Sequence, residues 1–293
     1  MESKPIVAAL GVELSEIDLR SPLGDDDRAE LRRLFATRHL LVFPRQELDF
    51  EDQVRAVAAL GPVLPGGPEW VSNVREHGLV PEGRLLFHSD FIFTPEPCLG
   101  LSLYATEIPD DGSPTVFAST VRAARELPPD LRSRVSGRSA LNIFDLTDQR
   151  GDVRFHEDAL GPATPLSPRH AHPILMRHPT TGQQVLTVNE MQTDYIVDMD
   201  REASEATLSS LRDVLYAPDN TYTHRWAVGD LVIWDNIAIQ HGRPSPPRHA
   251  PRTLRRVTMA NRDVFDLVPG FTEARAALRR PTGATRPSVA EGP

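Results

Sequence analysis

Apolar positions at the start of the chain fall into alternating helical and extended patterns. Pro5 to Leu19 is short, apolar and interrupted by turn formers. Ser21-Pro22-Leu23-Gly24-Asp25-Asp26-Asp27 then reads as a helix start, its acidic residues suited to the positive end of a helix dipole. Leu31, Leu34 and Phe35 recur at helical spacing, and the run from His39 to Phe43, ending at Pro44, predicts a buried strand. Val54, Val57, Ala58 and Leu60 give a second helix, over Phe50 to Leu60, an apolar face that Gly61-Pro62 stops.

From Leu85 onward short β-like runs dominate: Leu99 to Ala105, Val116 to Ala118, Ile174 to Arg177, Val185 to Val188, Thr221 to Trp226, Leu231 to Trp234 and Arg255 to Ala260. Turn formers such as Asp110-Asp111-Gly112, Thr181-Gly182 and Val228-Gly229-Asp230 separate them, which predicts a sandwich or barrel. Helices are expected over Val121 to Leu127, before Pro128-Pro129, and over Glu202 to Leu215, with Leu208, Leu211 and Leu215 facing inward. Asp145 to His170 is polar and without period, the pattern of a long mobile loop of the kind that forms lids. The tail 277–293 has too few apolar residues to fold and is expected to be disordered.

Composition narrows the class. Hydrophobic residues at 40% and charged residues at 25% are ordinary globular usage, against a disordered, collagen-like or coiled-coil chain. The single cysteine, Cys98, excludes an internal disulfide and any multi-thiolate metal site, so the ten histidines are the available metal ligands. A net charge of −9 gives no general reason to bind nucleic acid or an anionic membrane. No apolar run approaches a membrane span and no leader pattern opens the chain, so a cytoplasmic location is expected. Motifs for hydrolases, zinc proteases, P-loops and dinucleotide sites are missing.

Two H-x-[DE] motifs occur, His88-Ser89-Asp90 and His156-Glu157-Asp158. On an extended strand the two ligand-type side chains leave the same face, and a mononuclear iron(II) oxygenase needs two imidazoles and one carboxylate with other positions open. Composition alone predicts about 1.4 such matches, so the motif is uninformative by itself. What distinguishes His88-Ser89-Asp90 is the run Gly229-Asp230-Leu231-Val232-Ile233-Trp234-Asp235-Asn236, then His241-Gly242-Arg243, Arg252 eleven residues after that histidine, and Arg256. This segment resembles the distal half of the taurine dioxygenase-like (TauD/TfdA) family of Fe(II)/2-oxoglutarate dioxygenases. Gly112-Ser113-Pro114-Thr115-Val116-Phe117-Ala118 resembles a further family segment, with Thr115 27 residues after His88, and so do Val188-Asn189 and Ile196-Val197-Asp198. The similarity spans about residues 5 to 262.

The resemblance implies a mainly β fold with flanking helices on a double-stranded β-helix (jelly-roll, cupin-like) core, a single domain over 1–276, and assembly into a homo-oligomer. It implies that His88, Asp90 and His241 bind Fe(II), that Thr115 and Arg252 hold the C5 carboxylate of 2-oxoglutarate, and that Arg256 lies near its C1 carboxylate or a substrate anion. The reaction would oxidise an unactivated C–H bond of a small molecule with O2, by hydroxylation, desaturation or cyclisation, giving succinate and CO2. Asp90 disfavours halogenation, for which a small residue is needed there. Where the family commonly has tryptophan, Phe87 precedes the first histidine. Between Leu60 and Trp70 the histidine and tyrosine of taurine-oxidising members are missing, and Arg84 replaces an asparagine, so taurine is not expected. Arg84, Trp70, Phe91, Asn189 and Gln192 are expected near the substrate, suggesting an anionic or hydrogen-bonding molecule. High arginine, alanine and proline usage fits a bacterial enzyme of specialised metabolism.

Other readings accompany these. His156 with Asp158 reads as a solvated pair or part of a lid, His170-Ala171-His172 as a loop entering a strand or a two-histidine metal arm, and Cys98 as a small buried residue. A cupin-like metal- or ligand-binding module without turnover, and an Fe(II) oxygenase that uses no 2-oxoglutarate, are the alternatives for the whole chain.

Overall fold

The structure is a computed structural model and describes residues 1–75, 84–110, 112–144, 164, 167–244, 251–271 and 273. Its largest sheet runs β1 (Glu2–Pro5), β2 (Val12–Ser15), β3 (Leu40–Phe43), β14 (Leu231–Asp235), β6 (Gly100–Glu107), β16 (Thr253–Met259), β4 (Glu69–Ser72). All neighbours are antiparallel except β2 and β3. A second sheet runs β13 (Thr221–His224), β7 (Thr115–Ser119), β15 (Ile239–Arg243), β5 (Leu85–His88). A third pairs β12 (Thr193–Ile196), β8 (Ser139–Ile143) and β9 (Arg169–Pro173), and β10 (Leu175–Arg177) with β11 (Gln184–Leu186) forms a hairpin.

The alternation of side chains along a strand explains why the central runs are apolar throughout. On β14, Leu231 and Ile233 pack with Leu31 and Leu34 of α1 (Asp25–Arg38) and Ala56 and Val57 of α2 (Phe50–Ala58). Val232 and Trp234 point the other way and meet Phe117 and Ile239 of the second sheet. Leu41 and Phe43 against Leu40 and Val42 repeat this division on β3. A third cluster joins α3 (Thr120–Glu126), α4 (Pro129–Val135) and α5 (Arg201–Leu215) through Ala123, Leu131, Leu208 and Leu211. A short helix, α6 (Val264–Leu267), follows β16. None of the described helices is long and apolar enough to cross a membrane.

The predicted helices and strands are present with shifted ends, and α2 starts in a reciprocal capping box between Asp49 and Asp52. The sequence pattern does not show α4, because Pro128-Pro129 reads as a helix stop, whereas Pro129 occupies the first helical turn, where its missing N–H costs nothing. Nor does it show β1, β4, β8, β9, β12 and β15, strands of five residues or fewer. Arg169 and His170, expected in the loop, begin β9; residues 145–163 and 165–166 and the tail 277–293 lie outside the described residues.

Two features carry stability predictions. Gly229 has φ +88°, and a Cβ there would stand 2.8 Å from the Gln46 carbonyl oxygen. Gly229→Ala is expected to cost about 1–3 kcal/mol, read as a lower urea midpoint at unchanged m. His39 and His172 are buried, and burial lowers both pKa values. The folded protein therefore resists their protonation while the unfolded chain takes up protons below about pH 6.5. Stability should fall as pH drops through that value, seen as a falling Tm of metal-free protein from pH 7.5 to 5.

Candidate metal centre and anion pocket

β5 and β15 pair so that His88 lies directly opposite His241, with ring centroids 4.2 Å apart. β5 ends at His88, so Asp90 does not share its strand; it sits in the following turn, where Phe91 takes φ 61°. That turn returns the carboxylate toward the histidines. Asp90 Oδ1 lies 3.1 Å from His88 Nε2, and ligand atoms of His88, Asp90 and His241 all fall within 4.8 Å of one another.

The donor set suits a divalent metal. His88 Nδ1 donates to the Leu86 carbonyl at 2.9 Å, which fixes the ring with Nε2 toward Asp90. Burial, with the His88 charge, pushes His241 down to about 3, so its imidazole is neutral. His241 Nδ1 is buried without a hydrogen-bond partner. Burial works against the Asp90 charge, but the Arg256 guanidinium and the His88 hydrogen bond hold the carboxyl well below the usual carboxylate range. Two imidazoles and a carboxylate on one side fit Fe(II). Phe117 and Trp234 pack against His241, with centroids 6.4 and 4.8 Å away.

Arg252 and Thr115 lie together, both buried. Arg252 Nη2 donates to Thr115 Oγ1 at 3.3 Å and Nε to the Ser113 carbonyl at 3.5 Å. Burial, with the Arg243 charge, pushes the Arg252 guanidinium down to about 9. Trp226 Nε1 donates to the same Thr115 oxygen at 2.9 Å. The metal-ligand group, Thr115, Arg252 and Arg256 border one cavity of about 390 Å³.

The family model "Taurine catabolism dioxygenase TauD, TfdA family" matches residues 2–258 of this chain. The chain belongs to this family. It is 29% identical to the alpha-ketoglutarate-dependent 2,4-dichlorophenoxyacetate dioxygenase of Cupriavidus pinatubonensis, over 87% of this chain and 94% of that protein. It is also 29% identical to the pentalenolactone F synthase of Streptomyces arenae, over 71% of each. The crystal structure of a taurine dioxygenase from Burkholderia xenovorans matches with a TM-score of 0.73 and 26% identity, covering 88% of this chain and 90% of that one. The TauD/TfdA-family protein is thus a 2-oxoglutarate-dependent dioxygenase with the jelly-roll fold. Bound Fe(II) supplies, with 2-oxoglutarate and O2, the oxidising power that ends in succinate and CO2.

In this family member the other expected site residues separate. Phe91 and Gln192 line the cavity; Arg84, Trp70 and Asn189 are not among its lining residues. Arg84 is exposed and pairs with Glu190 at 3.0 Å. Trp70 lies beneath Arg75, 3.7 Å from ring centroid to guanidinium. Asn189 is buried, its Oδ1 accepting from the Gln192 N–H at 2.6 Å. Arg256 donates to Asp90 Oδ2 at 2.7 Å and stands 3.4 Å from Glu69. His156 and Asp158 lie outside the described residues, and His172 Nε2 donates to the Thr94 carbonyl at 2.9 Å. Among the described residues His88, Asp90 and His241 are the one cluster with metal-ligand geometry.

Asn236 is a residue to which the motif gave no role. Its Oδ1 accepts from the Asp90 N–H at 2.8 Å, and its Nδ2 donates to the carbonyls of Asp90 at 2.9 Å and Cys98 at 3.0 Å. One amide thus grips both backbone groups of the metal carboxylate's residue. Asn236→Ala is expected to weaken metal binding by about 10- to 100-fold, measured by equilibrium dialysis with Mn(II).

Proposed function

We propose that this dioxygenase oxidises an unactivated C–H bond of a small molecule, by hydroxylation, desaturation or cyclisation, with His88, Asp90 and His241 as the iron ligands. Arg252 and Thr115 hold the C5 carboxylate of 2-oxoglutarate. The observation that carries this reading is a buried guanidinium whose hydrogen bonds go to uncharged oxygens, on the same cavity as the three ligand side chains. A planar fork in that position is built to take a carboxylate through two parallel bonds. Thr115 supports it by elimination. Its oxygen already accepts from Trp226 and Arg252, so its one O–H proton is left to donate to the anion.

Arg256 neutralises Asp90 and keeps it ionised, the state a metal ligand requires. Phe91 and Gln192 border the space left for the primary substrate. Relatives acting on phenoxyacetates and in pentalenolactone formation support a small organic substrate, and a place in specialised metabolism. The test is succinate formation from 2-oxoglutarate by purified enzyme, requiring both Fe(II) and O2. No succinate with any member of a broad panel of small molecules would contradict the reading.

A further inference from the structure

The anion pocket has an indole behind it. Among the described residues Thr115 and Arg252 line the cavity, and Trp226, buried at 3% exposure, does not. Its Nε1–H donates to Thr115 Oγ1 at 2.9 Å, a firmer bond than the one of 3.3 Å from Arg252 Nη2 to the same oxygen. Its backbone N–H donates to the Gly112 carbonyl at 2.8 Å, so both ends of the Gly112–Thr115 segment are tied to one residue. The Ser113 carbonyl that accepts from Arg252 Nε belongs to that segment.

Trp226 is itself held. It lies two residues beyond His224, which pairs with Thr115 across β13 and β7. The His224 ring meets the indole edge-on, with centroids 4.6 Å apart and planes 89° from parallel. Its Nε2 stands 3.2 Å from Asp230 Oδ2, and its Nδ1 lies 3.1 Å from the Tyr222 hydroxyl. The indole therefore reaches Thr115 in one fixed plane.

A threonine hydroxyl turns about its C–O bond and can offer its proton in several directions. Two donors on the oxygen leave it one. Of these donors Arg252 is shared, since the same guanidinium takes the carboxylate in the reading above, whereas the indole N–H serves Thr115 alone. A bond donated into Oγ1 also strengthens the bond that its O–H gives onward.

We propose that Trp226 is a positioning residue for 2-oxoglutarate: its indole N–H sets the direction of the Thr115 O–H, toward the C5 carboxylate. The proposal rests on the reading above, since it takes Thr115 and Arg252 as the groups that hold that carboxylate.

The test is calorimetric titration of oxygen-free, Mn(II)-loaded enzyme with 2-oxoglutarate and with 2-oxopentanoate, which has the same chelating end and a methyl group in place of the C5 carboxylate. Trp226→Phe keeps a ring against His224 and removes the N–H. It should raise the Kd of 2-oxoglutarate by about fivefold and leave that of 2-oxopentanoate unchanged. In a Thr115→Val background the same substitution should have no further effect, because the hydroxyl it acts through is gone. Unsubstituted protein gives a second readout, independent of how the variant folds. With Zn(II) bound and its three indole nitrogens isotope-labelled, the Trp226 N–H resonance, identified by elimination with Trp70→Phe and Trp234→Phe, should move on adding 2-oxoglutarate and stay in place with 2-oxopentanoate. Undiminished 2-oxoglutarate affinity in Trp226→Phe, equal weakening of both ligands, losses that add in the double variant, or a resonance that treats the two ligands alike overturns the proposal. Wild-type affinity for 2-oxoglutarate in Thr115→Val overturns instead the reading on which it rests.

Discussion

His241→Ala is expected to lower Fe(II) affinity by more than about 100-fold and to abolish succinate formation while leaving the protein folded. The size follows from the proposed ligand count: with three protein side chains on the metal, removing one should lose more than the 10- to 100-fold typical of an outer-shell partner. The fold should survive because β15 is paired on both sides, with β5 and β7, through backbone bonds that the substitution leaves in place. Asp90→Asn separates charge from shape. It keeps the volume and leaves the Asn236 clamp on the backbone intact, yet removes the negative charge that balances Arg256. A similar loss of affinity is expected, together with lower stability, because a partly buried guanidinium loses its nearest partner. Dialysis against Mn(II) and a thermal melt of each variant decide the matter. Unaltered metal affinity in both would remove His241 and Asp90 from the centre.

The metal group was legible in sequence because its three members lie in segments whose local patterns are strong: a strand ending at His88 and the run from Gly229 to Arg243. Substrate-side residues were less legible, and the reason is geometric. On β4, Glu69 and Val71 line the cavity while Trp70 between them does not, as the two-residue alternation of a strand dictates. Proximity in sequence to a ligand does not tell which face a side chain takes, and Arg84, just before β5, turns out to Glu190. Asn236 was in view within its motif, but its function depends on a contact with Asp90, 146 residues away. The missed strands β8, β9 and β12 share another cause. Asn142 and Thr193 are buried polar residues bonded to each other at 2.8 Å, so tertiary pairing supports the strands where apolar period is weak.

Arg252→Met should separate stability from function. The guanidinium is buried, its hydrogen bonds run to neutral oxygens, and Arg243 repels it. Without cosubstrate its charge is therefore a cost to the fold, and an unbranched apolar side chain of similar length removes that cost. The metal-loaded, 2-oxoglutarate-free variant is expected to melt at or above the wild-type temperature. Binding of 2-oxoglutarate should move the other way. A charge-assisted fork to a carboxylate contributes about 3 kcal/mol, so the Kd of 2-oxoglutarate should rise by roughly 100-fold. Arg252→Lys should fall between, retaining charge without the fork. Calorimetric titration of Mn(II)-loaded protein with 2-oxoglutarate measures the loss and differential scanning calorimetry the stability. Wild-type affinity in Arg252→Met would mean that the cosubstrate anion is held elsewhere. A fall in stability of the same size as the loss in binding would instead make Arg252 a support of the β16 strand end, since only a group kept for its ligand is costly when that ligand is gone.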